Sequence, residues 1–567
     1  MAASLYENWP LTTQKHIRLL SVPSQPDGHQ PTRFIVSSFN LDEAPPYIAL
    51  SYTWGSPDDK QYIHLQPGNV SLPVTKNCHS ALSRLIQCYL KPEKSAIYFW
   101  IDAICIDQSN IPERNSQVSL MADIYQTATL VVIDVGEMED SEDTNLALSA
   151  IIKLDGLSKT DRWLPRMGFD DGCRVRDSVQ SFYLRPWFHR IWVLQEAFMA
   201  TKAEVMCGTR VEQWAEFRVK FFLLDTHSAF GTELVMLPPV TPRHPAPFVL
   251  IQGAREARSF LAERDLLTLL CHSRTCEAGD PRDKVFALYS FLSDAAAQGL
   301  RADYSDTKSS VYTAISEWIL KQSGPSVLSC VWGDLEKRDS TLPSWVPDWA
   351  DSSVRPDSYF GIPIPEWLRV DAEAYFWPIE AAGDTKAFLK FQDSASSSRR
   401  LVIRGLVVDR IEQIGSIMEK PDRGISELAA KNRKATGLDD TYSRLRPSRG
   451  RGPAWLVEYG IPALFNNPSS EDDNIGMYYN TVIGRDIAAT ESGYFGIVPE
   501  CARTGDHVCI FLGAGTPFIL RPVNDAWRLV GESYFYGLMS GEAVRGLDIS
   551  ATENAVPQDP LRDFVIE

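Results

Sequence analysis

The chain has 567 residues, of which 44% are hydrophobic and 23% charged, a length that supports roughly two to four domains with cores of their own. Its 56 lysines and arginines against 73 aspartates and glutamates leave a formal net charge of −17 at pH 7. Such a surface on average repels phosphate backbones and anionic lipid, so nucleic acid is not expected as a partner.

Met1–Leu20 mixes Glu7, Asn8, Pro10, Gln14, Lys15 and Arg18 with its apolar residues and lacks the unbroken apolar core of a signal peptide. The longest apolar runs, such as Ile97–Ile101 and Phe248–Ile251, are far too short for a membrane span, so a cytoplasmic protein is expected. Ten cysteines lie without a paired framework, which favours reduced, buried thiols. Cys271, His272 and Cys276 are the close cluster; no second Cys/His pair follows, and no metal site is expected.

Along the chain, Tyr47–Tyr52 is rich in strand formers and runs into the turn signal Thr53–Asp59. Asn77–Tyr89 carries Ala81, Leu82, Leu85 and Ile86 at helical spacing. Ile97–Ile106 is nearly all apolar, as in a strand covered on both faces, and is expected as a single central strand. Ser116–Ala128 has Val118, Met121, Ala122 and Tyr125 on one helical stripe, and Leu130–Val135 is another buried strand. This alternation predicts a parallel α/β sheet.

An acidic loop at Glu137–Asp143 and an irregular polar stretch through Asp177 are expected next. In Phe182–Ala197, Trp192, Gln195 and Glu196 share a face if the segment is helical, and Glu204–Gly208 reads as a strand closing in a turn. Ala254–Cys330 reads as largely helical, with a start signal in which Asp280 caps, Pro281 takes the first helical position and Asp283 faces the positive end of the dipole. Leu342–Trp349 is too proline-rich for a regular element, and its tryptophans are expected to pin a loop to the core.

From Phe388 the pattern turns to strands: Leu401–Val408, Tyr494–Val498, His507–Leu512, Phe518–Arg521 and Trp527–Val530. Glu419–Pro453, with Arg444, Arg446, Arg449 and Arg451, is expected as a surface insertion or a basic patch. Gly513-Ala514-Gly515 is followed by Thr516-Pro517 and a strand instead of a helix, so it reads as a hairpin turn and not as a dinucleotide loop.

Three blocks carry a specific resemblance: Ala49-Leu50-Ser51-Tyr52-Thr53-Trp54-Gly55, Trp100 to Gln108, and Arg190-Ile191-Trp192-Val193-Leu194-Gln195-Glu196. They resemble, in order, the motifs of the fungal heterokaryon incompatibility (HET) domain; Glu113-Arg114, Met121 and Ile124-Tyr125 match the family's helix after the second block. Asp280–Leu288, Leu342–Trp349 and Gly531–Glu542 are similar to segments of long HET proteins. The resemblance implies a HET domain at 46–210, followed by a mainly helical region at 211–385. A β-rich module at 386–567 then holds the polar insertion near 419–453. It also implies vegetative incompatibility, in which fusion of unlike hyphae leads to growth arrest and death, with protein partners or self-association through the HET domain.

The HET domain is in turn remotely similar to the TIR fold, a flavodoxin-like parallel sheet, and several TIR domains cleave NAD with a helix glutamate. By that likeness Glu196 is the catalytic carboxylate, with Ser51, Trp54, Gly55 and Trp192 binding NAD as substrate and no cofactor required. Breaking a nicotinamide–ribose bond needs little acid assistance, so one carboxylate that stabilises the oxocarbenium-like transition state can serve. The structural alternative pairs Glu196 with Arg190 or Arg185, packs Trp54 and Trp192 into the core, and gives Asp102 and Asp107 to nearby loop backbone. Three classes of function stand side by side: a death effector acting by assembly, an NAD-cleaving enzyme, and an accessory scaffold.

Overall fold

The computed structural model describes residues 6–22, 33–90, 97–137, 141–153, 174, 177–179, 181–214, 266–292, 299–353, 380–393, 399–416, 484–535, 537–547 and 560–567. It divides into two compact units, Met1–Asp306 and Thr307–Glu567.

The first unit is built on nine strands: β1 (His16–Ser21), β2 (Arg33–Asn40), β3 (Tyr47–Tyr52), β4 (Lys60–Gln66), β5 (Val70–Thr75), β6 (Tyr98–Trp100), β7 (Leu130–Asp134), β8 (Ala203–Cys207) and β9 (Arg210–Gln213). Their order is β5-β4-β2-β1-β6-β3-β7-β8-β9. The centre is parallel: β3 pairs with β6 and β7, and β7 with β8. Numbered along the chain, these four strands lie in the order 2-1-3-4.

The expected parallel sheet is thus observed at the centre, within a sheet that is mixed as a whole. On one flank β1 runs antiparallel to β6 and to β2, and the β4–β5 hairpin follows; on the other β9 turns back on β8. Burial explains the division. All five residues of β7 are buried, as a strand covered on both faces requires. In β4, Ile63 and Leu65 are buried while Tyr62 is exposed, the alternation of a sheet margin.

The helices of this unit are α1 (Lys76–Tyr89), α2 (Asp102–Cys105), α3 (Ile111–Thr127), α4 (Ser141–Lys153), α5 (Trp192–Met199), α6 (Leu266–His272) and α7 (Asp283–Phe286). Thr75 caps α1 by accepting from the Cys78 amide. The Asn110 side chain caps α3, with Pro112 in the first turn, so that helix begins five residues before the expected Ser116.

Two further expectations are corrected, and a third is qualified. The apolar run Ile97–Ile106 is not one strand: after β6 the amides of Ile104 and Cys105 return to the Ile101 carbonyl, and Asp102 opens α2. Ile104, Cys105 and Ile106 are buried all the same, and apolar content alone does not separate a strand from a buried helical turn. The stretch expected to be irregular contains α4, with Glu142 and Asp143 in its first turn. Asp280 accepts from the backbone amide of Arg282, the bond expected of a cap, and from its guanidinium, while the regular helix α7 starts only at Asp283.

Side-chain alternation assigns the two faces of the sheet. Leu50, Tyr52, Val132 and Met206 join Cys78, Ala81, Leu82 and Leu85 of α1 in one core. Ser51 therefore points to the other face, that of Trp187 and α5.

The second unit opens with α8 (Lys308–Ser323), capped by Thr307 and followed by Gly324 at φ +73°. Its strands are β10 (Leu389–Asp393), β11 (Arg399–Ser416), β12 (Arg485–Thr490), β13 (Phe495–Pro499), β14 (His507–Phe511), β15 (Phe518–Val523), β16 (Ala526–Glu532), β17 (Tyr534–Phe535) and β18 (Leu561–Ile566). The ladder β11-β14-β15-β16-β18 returns to β11, closing a barrel and removing its open edges. The expected β-rich character is observed, and Gly513–Gly515 lies in the β14–β15 hairpin. Trp345 and Trp349 are buried, and the Trp345 indole donates to the Arg399 carbonyl at 3.1 Å, so both pin their loop as expected. The segment 419–453 lies outside the described residues.

Candidate functional site

Ser51 and Tyr52 end β3, and the chain leaves the sheet through Thr53, Trp54 and Gly55. Gly55 sits at φ +76°, and a Cβ there would lie 2.7 Å from the Asn77 side chain. Only glycine meets both demands without strain, so the start of α1 fixes the path of this loop.

On the α5 face, the Ser51 hydroxyl accepts from Trp187 Nε1 at 2.8 Å and is in short contact with Glu196 Oε2. An indole N–H can only donate, so the Ser51 oxygen is the acceptor there and its proton is free to point at Glu196. Ser51 is 0% and Glu196 2% exposed. Burial pushes the Glu196 carboxyl up to about 7; the positive charge of Arg190 opposes the shift, the negative charge of Asp102 adds to it, and the Ser51 bond opposes it.

Arg190 also donates to the Tyr52 carbonyl. Trp54 Nε1 donates to Asp102 Oδ2 at 2.7 Å, and the Ala103 amide donates to Asp102 Oδ1 at 2.7 Å. Burial raises Asp102, against the pull of Arg190 and the Trp54 bond. Glu196 on α5 and Asp102 just after β6 are thus two carboxyls of raised affinity for protons, each under the opposing charge of Arg190.

The five sequence-predicted residues are not all brought together. Ser51 and Glu196 touch. Trp54 reaches Asp102, Gly55 packs on Asn77, and Trp192 stands apart as the first residue of α5. Arg185 donates to the carbonyls of Val135 and Glu137, at 3.0 and 2.7 Å, so these bonds commit it away from the pairing with Glu196 considered for it. Asp107 accepts from the amide and hydroxyl of Ser109, as a carboxylate that braces its own loop does. Sequence reasoning missed Trp187 as a contact of Ser51; the signal was an indole donor in an otherwise apolar block.

On the α1 face, an open groove of about 450 Å³ is lined by His79, Ser83, Arg84, Gln87, Glu137 and Thr209 among others. None of the five predicted residues lines it. At its floor Arg84 is buried and binds both carboxylate oxygens of Asp134, at 3.0 and 2.6 Å, as well as Glu137. Among the described residues, no three His, Cys, Asp or Glu side chains are grouped to hold a metal, and no helix is long and apolar enough to cross a membrane.

The family model described as heterokaryon incompatibility protein (HET) matches residues 47–196, and that of the Het-6 beta-barrel domain matches 468–548. The chain is 23% identical to heterokaryon incompatibility protein 6, OR allele, of Neurospora crassa, across 93% of this chain and 94% of that protein. No solved structure matches. The first match spans β3 through Glu196, the stretch that carries both Ser51 and its partner, and the second overlaps the closed barrel. The three motifs, the two domain matches and a relative aligned over almost its whole length identify the chain as a fungal heterokaryon incompatibility protein.

Proposed function

We propose that this protein acts in the cytoplasm as a non-self response factor whose HET domain, at about 46–210, drives growth arrest or death by assembling with itself or a protein partner. The buried Ser51–Glu196 pair then serves as part of its frame. The observation that carries this reading is closure: Glu196 is 2% exposed and its Oε2 is engaged by Ser51, which leaves little for a substrate to reach in this conformation. The whole-length likeness to an incompatibility protein supports the biological setting.

A second reading, NAD cleavage by Glu196 with Ser51, Trp54 and Gly55 lining the site, draws on a different observation. The 2-1-3-4 order of the parallel strands is that of flavodoxin-like sheets, which bind ligands beyond the strand ends at the crossover, here between β3 and β7. A buried carboxyl held near 7 beside that point is a feature of functional sites.

One experiment separates the two. Wild type, Glu196→Gln and Glu196→Ala are induced in a fungal host at matched protein levels while growth, NAD content and particle size in lysates are followed. Assembly predicts that Glu196→Gln still arrests growth and still sediments as a large species with NAD unchanged. Loss of NAD with wild type, abolished along with arrest in both variants, would overturn it in favour of the enzyme.

A further inference from the structure

We propose that Lys284 is a positioning residue for Arg190, the arginine of the third motif: it locks the turn at 273–277, and the backbone of Glu277 in that turn grips the chain on both sides of Arg190. The inference goes beyond the reading above, and it holds whether the unit assembles or cleaves NAD. Lys284 and the turn both lie beyond the 47–196 stretch of the HET match.

A parallel bridge joins Arg190 to Glu277. The Ile191 amide donates to the Glu277 carbonyl at 2.9 Å, and the Glu277 amide donates to the His189 carbonyl at 2.5 Å. The residues just before and just after Arg190 are therefore both held, while the Glu277 side chain itself is exposed. From this fixed backbone the Arg190 guanidinium donates to the Tyr52 carbonyl at the end of β3.

What fixes Glu277 is the turn before it. After α6 the Cys276 amide donates to the Ser273 carbonyl at 2.9 Å, and the chain reverses with Arg274 and Cys276 only 2% and 3% exposed. Carbonyls turned into a dry interior need donors, and an ammonium carries three. Lys284, 5% exposed, supplies them: its Nζ donates to the Arg274 carbonyl at 2.8 Å and to the Cys276 carbonyl. The Cys276 carbonyl and the Glu277 amide belong to one peptide plane and point in opposite directions, so the bond from Lys284 on one side aims the N–H at His189 on the other. Lys284 is held in turn on α7, where its neighbour Asp283 accepts from the Tyr304 hydroxyl at 2.6 Å. Tyr304 is anchored on α3: its amide donates to Asn115 Oδ1 at 2.9 Å, and Arg114 lies 3.4 Å from its ring centroid. α3 follows the second motif, Arg190 belongs to the third and Tyr52 to the first, so this downstream segment ties all three together.

The test is hydrogen exchange by mass spectrometry on the purified full chain, comparing Lys284→Met, which keeps the side-chain length and removes its donors, with Glu277→Ala and wild type. Peptides covering 186–193 and 273–279 should exchange about tenfold faster or more in Lys284→Met, with β3 and β7 peptides unchanged. Glu277→Ala leaves the backbone bonds in place and should match wild type. A second readout follows Arg190 itself. The infrared band of protonated Glu196, identified by its loss in Glu196→Gln, titrates at a midpoint that the charge of Arg190 holds down. That midpoint should rise in Lys284→Met, toward its value in Arg190→Gln. If Lys284→Met does not fold, Tyr304→Phe loosens α7 through the bond to Asp283 and should accelerate the same peptides to a lesser degree. Unchanged exchange at 186–193, equal acceleration in every peptide of the unit, or a Glu196 midpoint that stays at its wild-type value overturns the proposal. Neither readout depends on growth arrest, so failure of the proposed function leaves this test intact.

Discussion

Replacing Glu196 by glutamine should make the stability of the first unit less sensitive to pH. Burial raises this carboxyl from the ordinary 4.5 to about 7, so between those values the folded chain keeps a proton that the unfolded chain has lost. Stability then falls as pH rises through that window, by about 1.4 kcal/mol per unit, which amounts to about 3 kcal/mol in full above pH 7. Glutamine is nearly isosteric, and its carbonyl oxygen still accepts from the Ser51 hydroxyl. Its amide donors cost about 1–3 kcal/mol if left unpaired, but that cost does not vary with pH. Urea unfolding followed by tryptophan fluorescence at pH 5 and pH 8 reads the difference between variant and wild type at each pH. That difference should move in favour of Glu196→Gln by about 2.5 kcal/mol from the lower pH to the higher, since part of the effect is already present at pH 5. Asp102 is also raised by burial, but it is present in both proteins and drops out of the comparison apart from its coupling to Glu196. A difference that stays constant with pH would show that Glu196 is ionised throughout, with Arg190 neutralising it, and the account of a protonated carboxyl held by Ser51 would fail.

Gly55→Ala should destabilise the unit by about 1–2 kcal/mol, from the positive φ alone, with more if Asn77 cannot move; Gly55→Ala with Asn77→Ala should recover only the steric part, as read by thermal unfolding. Arg84→Ala removes the partner of buried Asp134, whose carboxyl burial already pushes upward, and should cost about 3–5 kcal/mol, most of it regained at a pH low enough to protonate Asp134. In the barrel, Glu532→Ala leaves Arg485 without its buried carboxylate and should cost a similar amount of about 3–5 kcal/mol by the same assay, without altering hydrogen exchange in β3 or β7.

Much of the fold was legible because its central strands are buried and short. Tyr47–Tyr52 was read as a strand and is β3 to the residue, and the five named strands of the second unit all correspond to observed ones. The run from Ile97 to Ile106 failed for a physical reason: complete burial erases the alternation that tells strand from helix, and the deciding feature was a single aspartate at 102. Asp280 does make the capping bond to the Arg282 amide, but the regular helix begins only at Asp283, because cap and first-turn preferences are also turn preferences. Of the site, the residue types were readable but the contacts were not. Ser51 and Glu196 are 145 residues apart, and nothing local foretells that Trp187 supplies the donor that turns the serine proton toward the glutamate.

The alternation of two adjacent residues at the end of β3 organises both faces of this unit. Tyr52 packs into the core of α1, on the side where Arg84 and Asp134 lie under an open polar groove, while Ser51 turns to the enclosed pair with Glu196. The two faces are not independent, because Arg190 of the third motif donates to the Tyr52 carbonyl while its charge acts on both Glu196 and Asp102. Any ligand or partner that engages the strand ends and draws Arg190 away would leave buried Glu196 and half-buried Asp102 without the cation whose charge acts on both. In a low-dielectric interior their answer is to bind protons more tightly, not to stay ionised. The three motifs are thus coupled through one guanidinium, which explains why widely separated blocks in the sequence read as a single signature.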